Sequence, residues 1–306
     1  VIPYLGVILV KLGIVYRSLV EQDFKLLEVF VKFLGRYEYV PIEVVSSRIS
    51  LSPKELDARL RKLVKLKILE RHPTMNAYRL RFLGLDCAAL HRLVRRDVLK
   101  AIGDRVGTGK ESEIYQGIAS DGSVVAVKFY RIGRQSFRRV TVTRDYGVSF
   151  ERGTWILRSV IAGEREVSAL AALNKVGVPH VPKLYGGALH AVVIEFIDGV
   201  ELYVLRELTD PKGVLRKLIE TVRLAYWRAR IVHGDLSEFN VIVSVRNNEE
   251  VPYIIDWPQY VESEHPEALK LLERDVRYVV RFFNKRFRLS INFKDVLEYV
   301  LRKPEE

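Results

Sequence analysis

The chain has 306 residues, 48% hydrophobic and 29% charged, a globular balance that excludes wholesale disorder and leaves room for two or three cores. A single cysteine, Cys87, excludes an internal disulfide framework and a cysteine-based zinc cluster and points to an intracellular chain; it reads as a small buried apolar residue, and six scattered histidines show no metal-ligand spacing. The formal net charge of +12 is uneven, with 17 Lys and Arg against 9 Asp and Glu in residues 1–95, so the positive field of the N-terminal third suits a polyanionic partner or, equally, solvated helix faces.

The opening VIPYLGVILVKLGIVY is apolar but interrupted by Lys11. It is too short for a comfortable span and lacks a basic n-region or a small-residue cleavage site. It reads as a packed strand or an extension, and the chain is expected to be cytoplasmic, without membrane contact.

Residues 24–35 carry apolar side chains at helical spacing and end on Gly35, and residues 42–49 form a short second helix. Ser52-Pro53 reads as an N-cap followed by proline at the first helical position, opening a third helix that turns Leu56, Leu60, Leu63, Val64 and Ile68 inward. Two alternating runs around Pro73–Ala77 predict a hairpin. Helix, helix-turn-helix and hairpin is the order of a winged helix, which would offer Arg59, Arg61, Lys62, Lys65, Arg79 and Arg81 to a nucleic-acid backbone. A protein-docking module of the same shape is the alternative.

Residues 88–100 read as a linking helix. From Ile102 the texture changes to short β-type runs with one helix, GEREVSALAALNKV, among them, and from Pro211 it turns helical around a β-like segment. A small sheet with one helix, followed by a helical lobe, predicts an α+β fold with a cleft between two lobes. The arginine-rich stretch 130–153, between the Lys128 strand and the helix with Glu166, suits a loop that orders over nucleotide or RNA, or a plain surface insertion.

Gly107 and Gly109, in RVGTGKESEIYQG, would let backbone amides approach phosphate oxygens, with Lys110 adding charge; no Walker loop is present. Lys128 stands in the apolar strand VVAVKFY and needs a partner, for which Glu164 and Glu166 on the next helix are available. A strand lysine paired to a helix carboxylate can hold nucleotide phosphates. Asp235 and Asn240 lie five apart in HGDLSEFN, and Asp256 follows sixteen later in YIIDWPQ. One carboxylate can take the proton of an attacking hydroxyl. An Asn and a second carboxylate suit Mg²⁺, a hard cation that takes oxygen ligands.

These motifs, GTGKESEIY, VAVKFYR, HGDLSEFNVIV and IIDWPQYV, resemble in sequence and order the RIO family of atypical serine/threonine protein kinases. The match is to its second subfamily, of archaeal type, which carries an N-terminal winged helix. The resemblance implies a winged helix over 1–90 (with 1–15 an extension), a linker helix over 91–100, a kinase N-lobe over 101–197 and a truncated C-lobe over 198–306. It implies that Gly107, Gly109, Lys110, Glu111 and Ser112 form the phosphate-facing loop, that Lys128 contacts phosphates and pairs with Glu166, and that Asp235 is the catalytic aspartate. Asn240 and Asp256 would be metal ligands, Glu195 and Ile197 the adenine-binding hinge, and Val106, Ile114, Ala126, Ile242 and Ile255 the apolar walls around the base.

The cofactors implied are ATP and Mg²⁺, with Mn²⁺ able to substitute. The implied role is in maturation of the small ribosomal subunit, on rRNA of the pre-ribosomal particle, with Asp256 as a phospho-acceptor and no protein substrate indicated. Gly234 stands where ordinary protein kinases carry Arg, Ser237 where they carry Lys, and no Ala-Pro-Glu segment follows Asp256. Two rival readings share these motifs: a small-molecule kinase of the aminoglycoside or choline type, and a non-catalytic, nucleotide-sensing RNA-binding assembly factor.

Overall fold

The structure, a computed structural model, describes residues 11–133 and 155–304. The apolar opening of residues 1–10 and positions 134–154 of the arginine-rich stretch lie outside the described residues. The chain divides into two units, Val1–Glu164 with Gly186–Val193, and Arg165–Tyr185 with Ile194–Glu306.

The first unit begins with helices α1 (Lys11–Arg17) and α2 (Glu21–Lys32), the short strand β1 (Val40–Pro41) and helices α3 (Ile42–Ser46) and α4 (Pro53–Lys65). Strands β2 (Leu69–Arg71) and β3 (Ala77–Leu80) follow, and β3 is the middle strand of a sheet with β1 and β2. This is the winged-helix arrangement the pattern predicts. Ser52 caps α4 by accepting from the Glu55 amide (3.2 Å), and Pro53 sits where a missing N–H costs nothing. Leu56, Leu60 and Leu63 are buried, as their spacing requires.

After the hairpin the structure differs from the expected linker helix. Helix α5 runs from Phe82 to Arg95 and packs on α1 and α2, so it belongs to the N-terminal core. The alternation of Tyr78 to Phe82 reads as strand through to the phenylalanine, but pairing with β2 ends at Leu80. Asp97 takes a left-handed conformation (φ 54°), which ends the helix and lets Leu99 begin a strand. Cys87, on α5, is buried, and burial pushes its thiol well above the usual range, which removes it as a nucleophile.

A five-stranded sheet follows, in the order β4 (Leu99–Thr108), β5 (Ser112–Ala119), β6 (Val124–Tyr130), β8 (Ala191–Glu195), β7 (Leu184–Ala188). Helix α6 (Trp155–Lys175) intervenes in sequence and begins eight residues before the expected GEREV start. Strand β6 is buried along Val125–Tyr130 because the central strand of a sheet is covered on both faces.

In the second unit α7 (Pro211–Leu224), α8 (Ala268–Arg286) and α9 (Phe293–Leu301) pack together. The sheet β12 (Glu249–Ile254), β11 (Val241–Arg246), β9 (Val200–Glu201) lies with them, and β10 (Ile231–Val232) pairs with β13 (Val261–Glu262). Asp210 caps α7 through the Gly213 amide (2.9 Å), with Pro211 at its first position. The β11–β12 hairpin turns on Asn247 and Asn248, both left-handed (φ 51° and 63°), residues that tolerate the conformation a tight hairpin needs. No helix among the described residues is long and apolar enough to cross a membrane.

Candidate active site

In the first unit, β4 and β5 form a hairpin whose turn spans Gly109–Ser112 and is closed by the Gly109 amide on the Ser112 carbonyl (2.9 Å). Gly107 faces Ile114 across the ladder, and Ile114 in turn faces Lys128. Lys110 and Val106 are exposed, while Glu111 and Ser112 are half-buried. A Cβ at Gly107 would stand 3.7 Å from Ile114, an ordinary contact, and the ladder shifts register between Arg105 and Gly107.

Lys128 is 7% exposed, with Nζ 4.7 Å from the Tyr130 ring centroid, and Ala126 beside it is buried. In the second unit, Glu195 accepts from Arg246 (2.7 Å) at the start of the stretch that contains Ile197. Glu166 is 1% exposed, whereas Glu164 is exposed on the solvent side of α6. A Glu166 oxygen accepts from the Trp257 amide (3.4 Å), next to Asp256. The neighbouring Arg165 donates to the carbonyls of Pro258 (2.7 Å) and Tyr260, so consecutive α6 residues grip the segment that follows Asp256.

Asp235, Asn240 and Ile255, the residue before Asp256, are tied together through His233 by a closed ring of four hydrogen bonds. The Asp235 amide donates to His233 Nδ1 (3.2 Å), which leaves the ring proton on Nε2 to be donated to the Ile255 carbonyl (3.0 Å). The Ile255 amide donates to the Asn240 carbonyl (3.0 Å), and Asn240 Nδ2 donates to the Asp235 carbonyl (2.8 Å). Asn240 thereby turns its amide nitrogen inward, which leaves Oδ1 as the atom for a cation. Ile242 is half-buried, pairing with Tyr253 on the strand beside this ring. Asp256 has a left-handed backbone (φ 66°), a conformation costly for a residue with a Cβ and concentrated at functional sites.

An amide oxygen and a carboxylate are hard donors, and this pair fits Mg²⁺, which takes one or two protein ligands and completes its shell with water and phosphate.

Three features of the site escape the motif reading. Asp275 on α8 is 1% exposed and accepts from the amides of Gly234 (2.8 Å) and Leu236 (3.2 Å), the residues flanking Asp235. Burial raises its carboxyl above the usual range, against the pull of His233, Arg274 and the Gly234 amide. Gly234 is left-handed (φ 75°), and a Cβ there would lie 2.6 Å from the Gln259 carbonyl, so the position before Asp235 cannot carry Arg in this backbone. Arg274, on the same helix as Asp275, donates to the Gly234 carbonyl. The signal for Asp275 is a carboxylate on the apolar stripe of Leu272, Val276 and Val279.

In the N-terminal domain Arg59 and Lys62 both turn to buried Asp23 (3.0 and 2.6 Å), Arg61 pairs with Asp57 (2.6 Å), and Arg79 with Glu70 (2.8 Å). Lys65 and Arg81 are exposed.

A catalytic-type Asp and an Asn ligand on one loop, a second Asp after a β-strand and a lysine in a central strand, beside an N-terminal winged helix, define a protein-kinase-like phosphotransferase. The family model described as the RIO domain matches residues 113–296, and the one described as Rio2, N-terminal, matches 16–96. The chain belongs to the RIO family of serine/threonine kinases, in its Rio2 branch.

It is 32% identical over 279 residues to the RIO-type serine/threonine-protein kinase Rio2 of Methanocaldococcus jannaschii, covering 88% of this chain and 100% of that protein. It is 30% identical to the serine/threonine-protein kinase rio2 of Schizosaccharomyces pombe, over 92% of this chain and 81% of the relative. A crystal structure of the Rio2 kinase–ADP/Mg²⁺–phosphoaspartate complex from Chaetomium thermophilum superposes with a TM-score of 0.78 at 28% identity, covering 94% of this chain and 88% of that one.

Proposed function

We propose that the chain is an ATP- and Mg²⁺-dependent atypical serine/threonine kinase and ATPase. Asp235 is the catalytic base, Asn240 and Asp256 hold the metal, and Lys128 binds phosphate. The observation that carries this reading is the four-membered hydrogen-bond ring, which fixes Asp235, Asn240 and the residue before Asp256 against one another. The ring uses only backbone atoms of Asp235 and none of Asp256, so it makes no use of either carboxylate, whereas transfer chemistry depends on their positions.

Mg²⁺, when bound, offsets the charge of the phosphate oxygens. The protein's own part is to orient and deprotonate. Asp235 takes the proton of the attacking hydroxyl, and Lys128 holds the α/β-phosphates of the nucleotide. Lys110 and the amides of Gly107, Gly109, Glu111 and Ser112 complete the phosphate side. Val106, Ile114, Ala126, Ile242 and Ile255 flank the base, which Glu195 and Ile197 meet through their backbone. Asp256 is also the proposed phospho-acceptor, supported by the phosphoaspartate in the Chaetomium relative.

The proposed setting is the cytoplasm, in maturation of the small ribosomal subunit, with the basic N-terminal domain on rRNA. The charge of residues 1–95 supports this, and Lys65 and Arg81 are its foremost contacts, since the structure engages Arg59, Arg61, Lys62 and Arg79 in ion pairs. The test is ATP turnover and self-phosphorylation by Asp235→Asn and Asp256→Asn. Loss of both activities with an unchanged melting profile is expected, and full activity in both variants would refute the assignment.

A further inference from the structure

A buried polar cluster lies where the N-terminal domain meets the five-stranded sheet, away from every residue assigned above except through the chain it forms. Asp86 of α5, Arg131 at the end of β6, Glu113 of β5 and His190 between β7 and β8 are 5%, 8%, 7% and 0% exposed. Arg131 Nη2 donates to Asp86 Oδ2 (2.9 Å) and lies 3.0 Å from Glu113 Oε2, while its Nε also reaches Glu113 (3.1 Å). His190 Nε2 sits 2.8 Å from Asp86 Oδ1 and 2.9 Å from Arg131 Nη1. The guanidinium is further enclosed by the rings of Phe82 and Phe129, 5.1 and 5.5 Å away.

The other oxygen of Glu113 accepts from Arg105 (3.1 Å). Arg105 and Glu113 are the residues just outside the phosphate-facing loop, one on each strand of its hairpin. Arg131 also donates its backbone amide to the Glu111 carbonyl inside that loop (2.6 Å), and it lies three residues beyond Lys128. A single path of charge-assisted bonds thus runs from a helix of the winged-helix domain to both sides of the loop neck.

Burying two carboxylates and a guanidinium is costly, and apolar residues of similar volume would serve stability as well or better. Their retention as an ionic chain is therefore a matter of geometry, since the planar guanidinium fork fixes two carboxylates at once.

We propose that Asp86 is a positioning residue for the nucleotide-phosphate loop, acting through Arg131, Glu113 and Arg105, so that the state of the winged-helix domain is felt at the phosphates. The proposal rests on the nucleotide reading of that loop, and the probes are chosen to separate the two. ADP with Mg²⁺, and adenosine without it, are titrated into the full chain and into Asp86→Asn, Arg105→Gln, the double variant and Arg92→Gln. Arg92 serves as control because it makes a separate ion pair of α5, to Glu28 (2.9 Å), without touching the cluster.

Asp86→Asn is expected to weaken ADP by about fivefold or more and leave adenosine unchanged. Asp86 and Arg105 do not touch, yet the double variant should lose no more than the worse single one, the non-additivity of residues sharing one network. Arg92→Gln should bind ADP as the wild type does. If Asp86→Asn does not fold, Arg131→Lys replaces it, keeping the charge and losing the fork.

Wild-type affinity in these variants, additive losses, or an equal loss in Arg92→Gln overturns the proposal while leaving the nucleotide reading intact. Failure of the wild type to bind ADP overturns both.

Discussion

Asp235 and Asn240 owe their positions to groups with no chemical part in transfer. His233 accepts from the Asp235 amide and donates to the Ile255 carbonyl, so its ring spaces Asp235 from the segment that carries Asp256. His233→Ala removes that spacer. It is expected to lower kcat by about 10–100-fold, the usual cost of losing a residue that orients metal ligands, with a smaller change in ADP affinity. Steady-state kinetics beside a binding titration checks this.

Asp275 carries the other side of the loop. Asp275→Ala strands the amides of Gly234 and Leu236 in a buried place, each worth about 1–3 kcal/mol, so both melting temperature and turnover should fall. A scanning-calorimetry trace unchanged from wild type would contradict this role. The motifs that carry Asp235, Asn240 and Asp256 could be seen in the sequence because the RIO family pattern has a fixed spacing and order. Asp275, Asp86 and Asp23 were visible only as carboxylates on apolar stripes, a pattern that tells of a buried partner but not of which one.

The winged helix is held by an ion triad as well as by its leucines. Asp23, near the start of α2, is wholly buried; burial alone would raise its carboxyl, but Lys62, the Val20 amide and Arg59 hold it below the usual carboxylate range. A carboxyl lowered in the folded state contributes stability above its ordinary pKa, and that contribution is lost as pH falls through the lowered value. Asp23→Asn should therefore lower the melting temperature at neutral pH and flatten its decline on the acid side. A parallel shift at every pH would contradict it.

The same triad engages Arg59 and Lys62, two of the four α4 residues that the pattern would offer to a nucleic-acid backbone. Helical periodicity places Arg59 and Lys62 toward one side, but whether that side meets water or another helix's carboxylate is a tertiary fact. Capping chemistry at Ser52-Pro53 was legible because it is local. The end of the wing and the start of α5 were not, because Tyr78 to Phe82 alternates through both and only strand pairing decides where the ladder stops.

Across the whole molecule, four motifs in one order carry the family pattern, and in the second unit two of them, HGDLSEFNVIV and IIDWPQYV, are joined by the hydrogen-bond ring. The charge asymmetry belongs to this scale too. If the N-terminal domain meets rRNA through Lys65 and Arg81, removing both charges should weaken RNA binding about equally across sequences and make the slope of log K against log salt shallower by about two. Unchanged slopes in filter-binding titrations would move the contact elsewhere.

The most direct test of the central claim separates the two aspartates by what each is for. Nucleotide affinity is measured with and without Mg²⁺ for the wild type, Asp235→Asn and Asp256→Asn, together with single-turnover hydrolysis of ATP. The expected result is that Asp256→Asn loses the Mg²⁺-dependent part of binding, whereas Asp235→Asn keeps it and loses turnover. Mg²⁺-dependent binding and turnover at wild-type level in both variants would contradict the assignment of base and metal ligand alike.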